Sequence, residues 1–400
     1  MKTKLTSRVV ATTLVTALAG IGLTLPASGA TAPAPASGSG AGSVHDSSHS
    51  KALQAGVDAI MDTGTVGVVA RSTGPRGSRY ATGGVADKAT GEAPRPGDRF
   101  RIASASKTFV STVILQLVGE GRLSLDDTVE HWLPGVVSGN GNDGSAITVR
   151  QLLQHTSGLF NYTADFPEVA SVAGYQADRY TTWTPEQLVA IAMRHAPDFE
   201  PGTKWSYSNT NYILAGMIIQ KATGHSWEQE VTARIIRPLG LRDTLAPTTY
   251  AWIPGRHLRG YSNFGEAVEP IDVTGFNPSA GGAAGAMIST TADLTRFYEA
   301  LLGGRLLRPA ELTAMKTTVP APELDPGWPG VRYGLGLMRV PLSCGGAYYS
   351  HGGDLPGYTT REGVSADGRR TVVLIATGDG ASDLSSQQAE NDLIDGELCA

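Results

Sequence analysis

The stretch from Thr108 to Gly119 constrains this chain most. Phe109, Val110, Val113, Ile114, Leu117 and Val118 recur at the spacing of one buried helical face. Apolar or small residues fill much of the remaining surface, so the helix belongs at the centre of a domain. Directly ahead of it stands Arg101-Ile102-Ala103-Ser104-Ala105-Ser106-Lys107. Ser104 and Lys107 are three apart, a spacing that stacks two side chains on one helical face. A lysine amine then lies beside a serine hydroxyl, and the helix N-terminus adds backbone N–H donors. Nucleophile, candidate base and part of an oxyanion site share one turn. Ser-x-x-Lys also occurs on solvated surfaces, so partner residues elsewhere in the chain decide its meaning.

The chain of 400 residues can hold two domains or one composite domain. A net charge of -5 and no basic run after residue 10 argue against a nucleic-acid partner. Residues 1–30 read as a secretory signal: Lys2, Lys4 and Arg8, an apolar run from Val9 to Leu25, then Ala27-Ser28-Gly29-Ala30. The apolar run is short for a span and broken by Thr and Gly, so no stable membrane anchor is expected. The expectation is a secreted, extracellular monomer. Residues 31–50 are mostly Ala, Pro, Gly and Ser and read as a flexible leader, with order beginning near Lys51 in a helix from Ala52 to Met61. Export permits a disulfide between Cys344 and Cys399. In the chain-entropy model such a bridge stabilises by about 4 kcal/mol.

Val66 to Arg71 and Arg79 to Val85 read as strands joined by the turn Thr73-Gly74-Pro75-Arg76-Gly77. Helical patterns then dominate residues 126–284, including Val149 to His155, Pro185 to His195 and Tyr212 to Ala222. Gly139-Asn140-Gly141-Asn142-Asp143-Gly144 matches a dinucleotide fingerprint in letters only, because no strand precedes it. After Ala284 come a helix, Thr291 to Leu302, and strands at Ala347 to His351, Thr359 to Val364 and Thr371 to Thr377. Ser385 to Leu398 closes the chain as a helix. Strands at both ends around a helical middle predict one sheet built from 51–125 and 285–400, with 126–284 as an inserted, mostly helical domain.

Two further constellations follow the Ser-x-x-Lys turn. Tyr207-Ser208-Asn209 lies between a Pro201-Gly202 turn and a helix. In extended backbone, residues two apart point the same way, so Tyr207 and Asn209 can bring a phenol and an amide to one cleft. The alternative is a turn in which Asn209 caps the helix and Tyr207 packs. His351-Gly352-Gly353-Asp354 follows the strand Ala347-Tyr348-Tyr349-Ser350. Its glycines would let another backbone come close, as an added peptide strand does. The alternative is a hairpin with a surface histidine.

In this order the three motifs resemble the serine penicillin-recognising family, which includes D-alanyl-D-alanine carboxypeptidases, class C β-lactamases and related esterases. Ser104-Ala105-Ser106-Lys107 resembles the first motif, Tyr207-Ser208-Asn209 the second and His351-Gly352-Gly353 the third. His155-Thr156-Ser157-Gly158-Leu159, the stretch 201–224 and Gly285-Ala286-Met287-Ile288-Ser289-Thr290 extend the likeness. The secreted carboxypeptidases with a His-x-Gly third motif and one disulfide are the nearest likeness. One position departs from them: Gly352 stands where threonine is expected, so a hydroxyl that would contact a substrate carboxylate is absent. Arg332, Arg339 or Arg361 could supply that charge instead.

The resemblance implies a β-lactamase/transpeptidase-like α/β (α+β) fold, with an antiparallel sheet flanked by helices and a mostly helical inserted domain. It implies acyl transfer through an ester on Ser104, with Lys107 and Tyr207 moving protons and Asn209, His351, Gly352 and Gly353 binding substrate. The backbone N–H groups of Ser104 and Asp354 would form the oxyanion hole. No metal and no organic cofactor are required. The expected partners are D-alanyl-D-alanine peptides or β-lactams. The expected activity is that of a serine D-alanyl-D-alanine carboxypeptidase. A β-lactamase or esterase of the same fold, and a non-catalytic penicillin-binding or sensor module, are the competing readings.

Overall fold

The computed structural model describes residues 42–166, 171–379 and 384–400. The expected signal segment and most of the expected leader lie outside the described residues. The run Val372-Val373-Leu374-Ile375-Ala376 sits inside a strand in which every residue is buried. Its alternate side chains serve two cores. Val373 and Ile375 join one apolar cluster, and Val372, Leu374 and Ala376 join the other. A strand covered on both faces must be apolar throughout.

That strand belongs to one antiparallel sheet, here numbered β1 (Gly67–Gly74), β2 (Gly77–Gly84), β3 (Val319–Pro320), β4 (Arg332–Tyr333), β5 (Met338–Pro341), β6 (Ala347–Ser350), β7 (Gly353–Leu355), β8 (Tyr358–Ser365) and β9 (Thr371–Thr377). The order is β2-β1-β9-β8-β6-β5-β4-β3, and β7 also pairs with β8. Gly67 is opposite Thr377, so strands from the two ends of the chain meet at the centre. Both β6 and β7 pair with β8, through Tyr348↔Ser365 and Gly353↔Thr360. His351 and Gly352 carry the chain from one to the other, off the ladder.

The helices used below are α1 (Gly42–Met61), α2 (Ser106–Gly119), α3 (Val149–Gln154), α4 (Val172–Asp178), α5 (Pro185–Ala192), α6 (Thr210–Thr223), α7 (Gly282–Gly285), α8 (Thr291–Leu302) and α9 (Leu384–Cys399). Helix α1 starts ten residues ahead of the expected Ala52, so the end of the expected leader is helical. Its early part is docked by a side chain, with His49 Nε2 2.9 Å from the Arg76 guanidinium. Such a tertiary contact leaves no mark in local composition. Leu53, Val57 and Ile60 of α1 and Leu393, Ile394 and Leu398 of α9 cover one face of the sheet.

The other face carries the larger cluster, with α2 at its centre. Its residues Ser106–Leu115 and Leu117 are all buried. Phe109 stacks on Phe297 of α8, and Tyr212 of α6 hydrogen-bonds Ser111 at 2.9 Å. Helices α3 and α6 are closed by left-handed residues, His155 (φ 60°) and Gly224 (φ 80°). No helix among the described residues is long and apolar enough to cross a membrane.

Candidate active site

Ala103–Ala105 form one turn of 3-10 helix that runs into α2. Ser104 therefore stands just ahead of α2, in a tighter turn than the expected α-helical start. Ala103 has φ 47°, a left-handed conformation that an alanine rarely adopts. Its carbonyl accepts a hydrogen bond from Ser106 Oγ at 2.7 Å, and Ser106 Oγ accepts one from Met287 N at 3.2 Å. The strain beside the nucleophile is thus held from two sides.

Lys107 is fully buried. Its Nζ lies 3.0 Å from Ser104 Oγ, 2.7 Å from Asn209 Oδ1 and 2.7 Å from Ala284 O. All three partners are uncharged, and burial holds the amine well below its ordinary pKa. A neutral amine has two N–H groups and one lone pair. The amide and peptide oxygens can only accept, so they take both N–H groups. The lone pair is left for the Ser104 hydroxyl, which in this state donates to Nζ.

Tyr207 meets Ser104 as well. Burial raises the phenol far above its usual range, and its hydrogen bond to Ser104 is a smaller influence that lowers it. The phenol stays protonated and can donate to Ser104 Oγ. Asn209 does not act through a cap on α6. Its Oδ1 holds Lys107, its Nδ2 reaches Thr163 Oγ1 at 3.3 Å, and its N–H donates to Asn161 Oδ1 at 3.0 Å.

His155 lies under Tyr207, with ring centroids 4.3 Å apart. Its Nδ1 accepts from Ser208 N at 3.2 Å and from Asn211 Nδ2 at 3.1 Å, which puts the proton on Nε2. Burial, then the nearby Lys107, hold it well below the ordinary histidine pKa. The sequence marked His155 only as part of a familiar stretch. Its place beneath Tyr207 depends on the left-handed end of α3, which no local pattern announces.

His351 does not line the cleft. It is buried, Nδ1 donates to Gly352 O at 2.9 Å, and Nε2 accepts from Tyr333 O–H at 2.6 Å. Burial and then Lys107 push it down to about 3, so it is neutral. Its ring is 6.4 Å from that of Tyr207. Gly352 has φ 48°, and a Cβ there would lie 3.5 Å from the Arg361 guanidinium.

Gly353 brings β7 against the nucleophile turn. A Cβ at this position would lie 2.3 Å from Ile102 O and 2.8 Å from Ser104 N. The two-residue Pro356-Gly357 turn closes the β7–β8 hairpin on Leu355↔Tyr358. Alternation along an antiparallel ladder then turns the main-chain groups of Asp354 away from β8. Asp354 lines the same cleft as Ser104.

Among the arginines considered above, Arg361 is buried and bound to Asp354 at 2.9 Å and to Glu390 of α9 at 3.0 Å. Arg332 is tied to Thr318 through its Oγ1 at 3.0 Å and its carbonyl at 2.9 Å. Neither they nor Arg339 line the cleft. Cys344 and Cys399 are bridged, with Cα atoms 5.9 Å apart, joining the β5–β6 turn to the end of α9. Among the described residues no group of His, Cys, Asp and Glu could hold a metal ion.

Arg101 escaped the sequence reading as a site residue. It is fully buried, and donates to Thr274 O (2.9 Å), Ala251 O (2.6 Å) and Phe276 O (3.2 Å). Its guanidinium lies 4.2 Å from the Phe276 ring centroid. These bonds fix one wall of the cleft. The cleft encloses about 200 Å³ over Ser104 and Asn209 and is walled by Tyr162, Phe166, Tyr175, Val273 and Phe276.

Three comparisons bear on this geometry. A family model described as Beta-lactamase matches residues 51–395. The chain is similar to a solved D-stereospecific amidohydrolase from Streptomyces sp., with 45% identity over 86% of this chain and 98% of that one and a TM-score of 0.80. It is similar to a D-amino acid amidase from Ochrobactrum anthropi SV3, solved with L-phenylalanine amide, at 31% identity over 87% and 97% of the two chains and a TM-score of 0.76. Penicillin-binding protein 4* of Bacillus subtilis (strain 168) is 30% identical over 290 residues, or 69% of this chain. That match spans only 60% of the length of this curated relative.

Proposed function

This chain belongs to the Beta-lactamase family, a family of serine hydrolases, and from that premise we propose that it is a D-stereospecific amidohydrolase. The bond it cleaves is the amide on the carbonyl side of a D-residue with a bulky apolar side chain. One observation carries this choice over carboxypeptidase: the cleft over Ser104 is walled by Tyr162, Phe166, Tyr175 and Phe276, which suit a bulky apolar D-residue better than the methyl of D-alanine. Arg361 is committed to Asp354 and Glu390, and Gly352 offers no hydroxyl. The Streptomyces amidohydrolase and the Ochrobactrum amidase support the same reading.

The steps follow from the hydrogen bonds. Ser104 Oγ attacks the amide carbonyl and gives its proton to the lone pair of Lys107 Nζ. The Ser104 and Asp354 N–H groups receive the developing oxyanion. Tyr207 donates a proton to the departing amine and regains one from Lys107, so the amide C–N bond breaks and an ester on Ser104 remains. Water, deprotonated by the same pair, attacks the ester and frees the acid. His155 and His351 stay neutral and act by positioning Tyr207 and β7. Export to the outside of the cell, as read from residues 1–30, belongs to this proposal.

D-alanyl-D-alanine carboxypeptidase is the second reading, favoured by the His-x-Gly motif and the penicillin-binding relative. D-phenylalanine p-nitroanilide, its L-isomer, acetyl-D-alanyl-D-alanine and benzylpenicillin separate the possibilities. The expected result is turnover of the D-anilide at least ten times faster than of the L-anilide or the dipeptide. Penicillin should add its mass to the wild type and not to Ser104→Ala. Faster release of D-alanine than of nitroaniline would establish the second reading, and rapid penicillin turnover without an adduct would make the protein a β-lactamase.

A further inference from the structure

Arg179 stands at the C-terminal end of α4, behind the cleft wall. Its guanidinium carbon is 5.5 Å from the ring centroid of Tyr175, a wall residue, and 4.9 Å from that of Tyr180. Nε is buried without a hydrogen-bond partner. Its neighbours are differently placed: Arg259 is matched to Asp87 and Asp272, Arg99 to Asp243 and Arg256 to Asp98, while Arg101 is bonded to the carbonyls of Ala251, Thr274 and Phe276. Among the described residues Arg179 forms no ion pair. A cation pressed between two rings has lost part of its water and has gained no counter-charge, which makes it receptive to an anion.

The segment is fixed to the cleft. Asn277 N donates to Arg179 O at 2.6 Å, and Asn277 follows Phe276 of the wall. Tyr175 O–H donates to Gly275 O at 2.9 Å. Trp252 lies on Gly275, so closely that a Cβ there would be 2.5 Å from its ring. Tyr180 and Trp252 are 5.9 Å apart between centroids and about half exposed, at 49% and 52%. The wall thus continues outward from Tyr175 and Phe276 into an exposed aromatic pair beside an unmatched arginine.

The direction of the substrate decides what reaches this surface. The leaving amine must approach Tyr207 and Lys107, neither of which lines the aromatic cleft. The acyl part therefore lies in the cleft, and whatever extends it on the amino side of the D-residue emerges at the rim. We infer that Arg179, Tyr180 and Trp252 form a distal subsite for a carboxylate-bearing acyl extension, such as an acidic residue or a diacid cap. Arg179 pairs with the carboxylate, and the two rings cover the apolar part of the extension. This rests on the amidohydrolase reading for the direction of the substrate, but the test does not.

The test compares succinyl-D-phenylalanine and butyryl-D-phenylalanine p-nitrophenyl esters, which match in length and differ in one carboxylate. Activated esters acylate a competent Ser104 whether or not D-amides are the natural substrates. The wild type should prefer the succinyl ester about tenfold in kcat/KM, mainly through KM, and added salt should erode the preference. In Arg179→Gln the ratio should fall to about one and lose its salt dependence, while Arg179→Lys keeps part of it. Equal ratios in wild type and Arg179→Gln, or no preference in the wild type, overturn the subsite. Failure to cleave D-phenylalanine p-nitroanilide, with the ester preference intact, overturns the amidohydrolase reading and leaves the subsite standing.

Discussion

Arg101 and Lys107 lie six residues apart, are both fully buried, and meet opposite fates. Burial lowers both. Arg101 falls to about 10 and keeps its charge at neutral pH, whereas Lys107 is held well below its ordinary value. Both are surrounded by uncharged oxygens; Tyr358 and Tyr175 oppose the fall at Arg101, while burial alone acts on Lys107. The guanidinium spreads its charge over a plane, is weakly hydrated, and can bind several carbonyls and a ring at once. The ammonium is a compact charge whose hydration is costly to remove, and it responds by releasing a proton. Burial makes a scaffold of one and a base of the other.

Replacing the base gives the largest effect. Lys107→Met should lower kcat/KM by roughly a thousandfold or more and raise the thermal midpoint. In the unfolded chain Lys107 is protonated at pH 7 and must lose that proton to be buried. Wild-type stability therefore rises with pH from the lowered folded pKa toward about 10.4, and the variant lacks this dependence. A fall in the midpoint would mean that Lys107 is held charged, and the contrast would collapse. Arg101→Met should do the opposite to stability. It strips the donors from the carbonyls of residues 251, 274 and 276 and should cost about 3 kcal/mol, read from the urea midpoint at constant slope.

The buried histidines extend the comparison to acid. His351 is held at about 3, against 6.5 when free, and His155 is lowered too. Below pH 6.5 the unfolded chain takes up protons that the folded one refuses. Through His351 stability should fall toward pH 3 by up to about 1.4 kcal/mol per pH unit, and His155 acts in the same direction. His351→Gln should flatten this slope in acid denaturation curves; an unchanged slope would show that His351 is not neutral in the fold. The smallest effect is at Ser106, which holds the strained Ala103. Ser106→Ala should cost about 1 kcal/mol and lower kcat more than it raises KM, since Ser104 loses its fixed attitude.

Side chains whose chemistry declares itself at short spacing were legible in the sequence. Ser104 and Lys107 could be paired from their separation, and α2 and β9 from periodicity and a continuous apolar run. One sheet built from both ends of the chain followed from the strand patterns, and its antiparallel order with flanking helices from the resemblance of the three motifs. What stayed hidden depends on contacts between distant segments. The two-residue strands β3 and β4 are too short to show alternation, and their ladder partners define them. Ala103 carries no mark of its φ, because Ser106 and Met287 impose it. His155 and His351 look like lone histidines until Tyr207 and Tyr333 are brought to them. Nothing next to Arg101 in the chain marks it for burial, since the carbonyls that close around it come from residues 251–276.

The pairing of β1 with β9 has a further consequence, for the order of events as the chain is made. Gly67 and Thr377 are joined across 310 residues. The first strand of the sheet has only its hairpin partner β2 until β9 has been synthesised. Closing so long a loop carries a large entropic barrier, and proteins rich in such distant contacts fold slowly. A growing chain truncated before β9 would present the unpaired edge of β1. A ribosome-bound series of increasing length should therefore stay protease-sensitive throughout the first 370 or so residues, then acquire resistance abruptly once β9 has emerged.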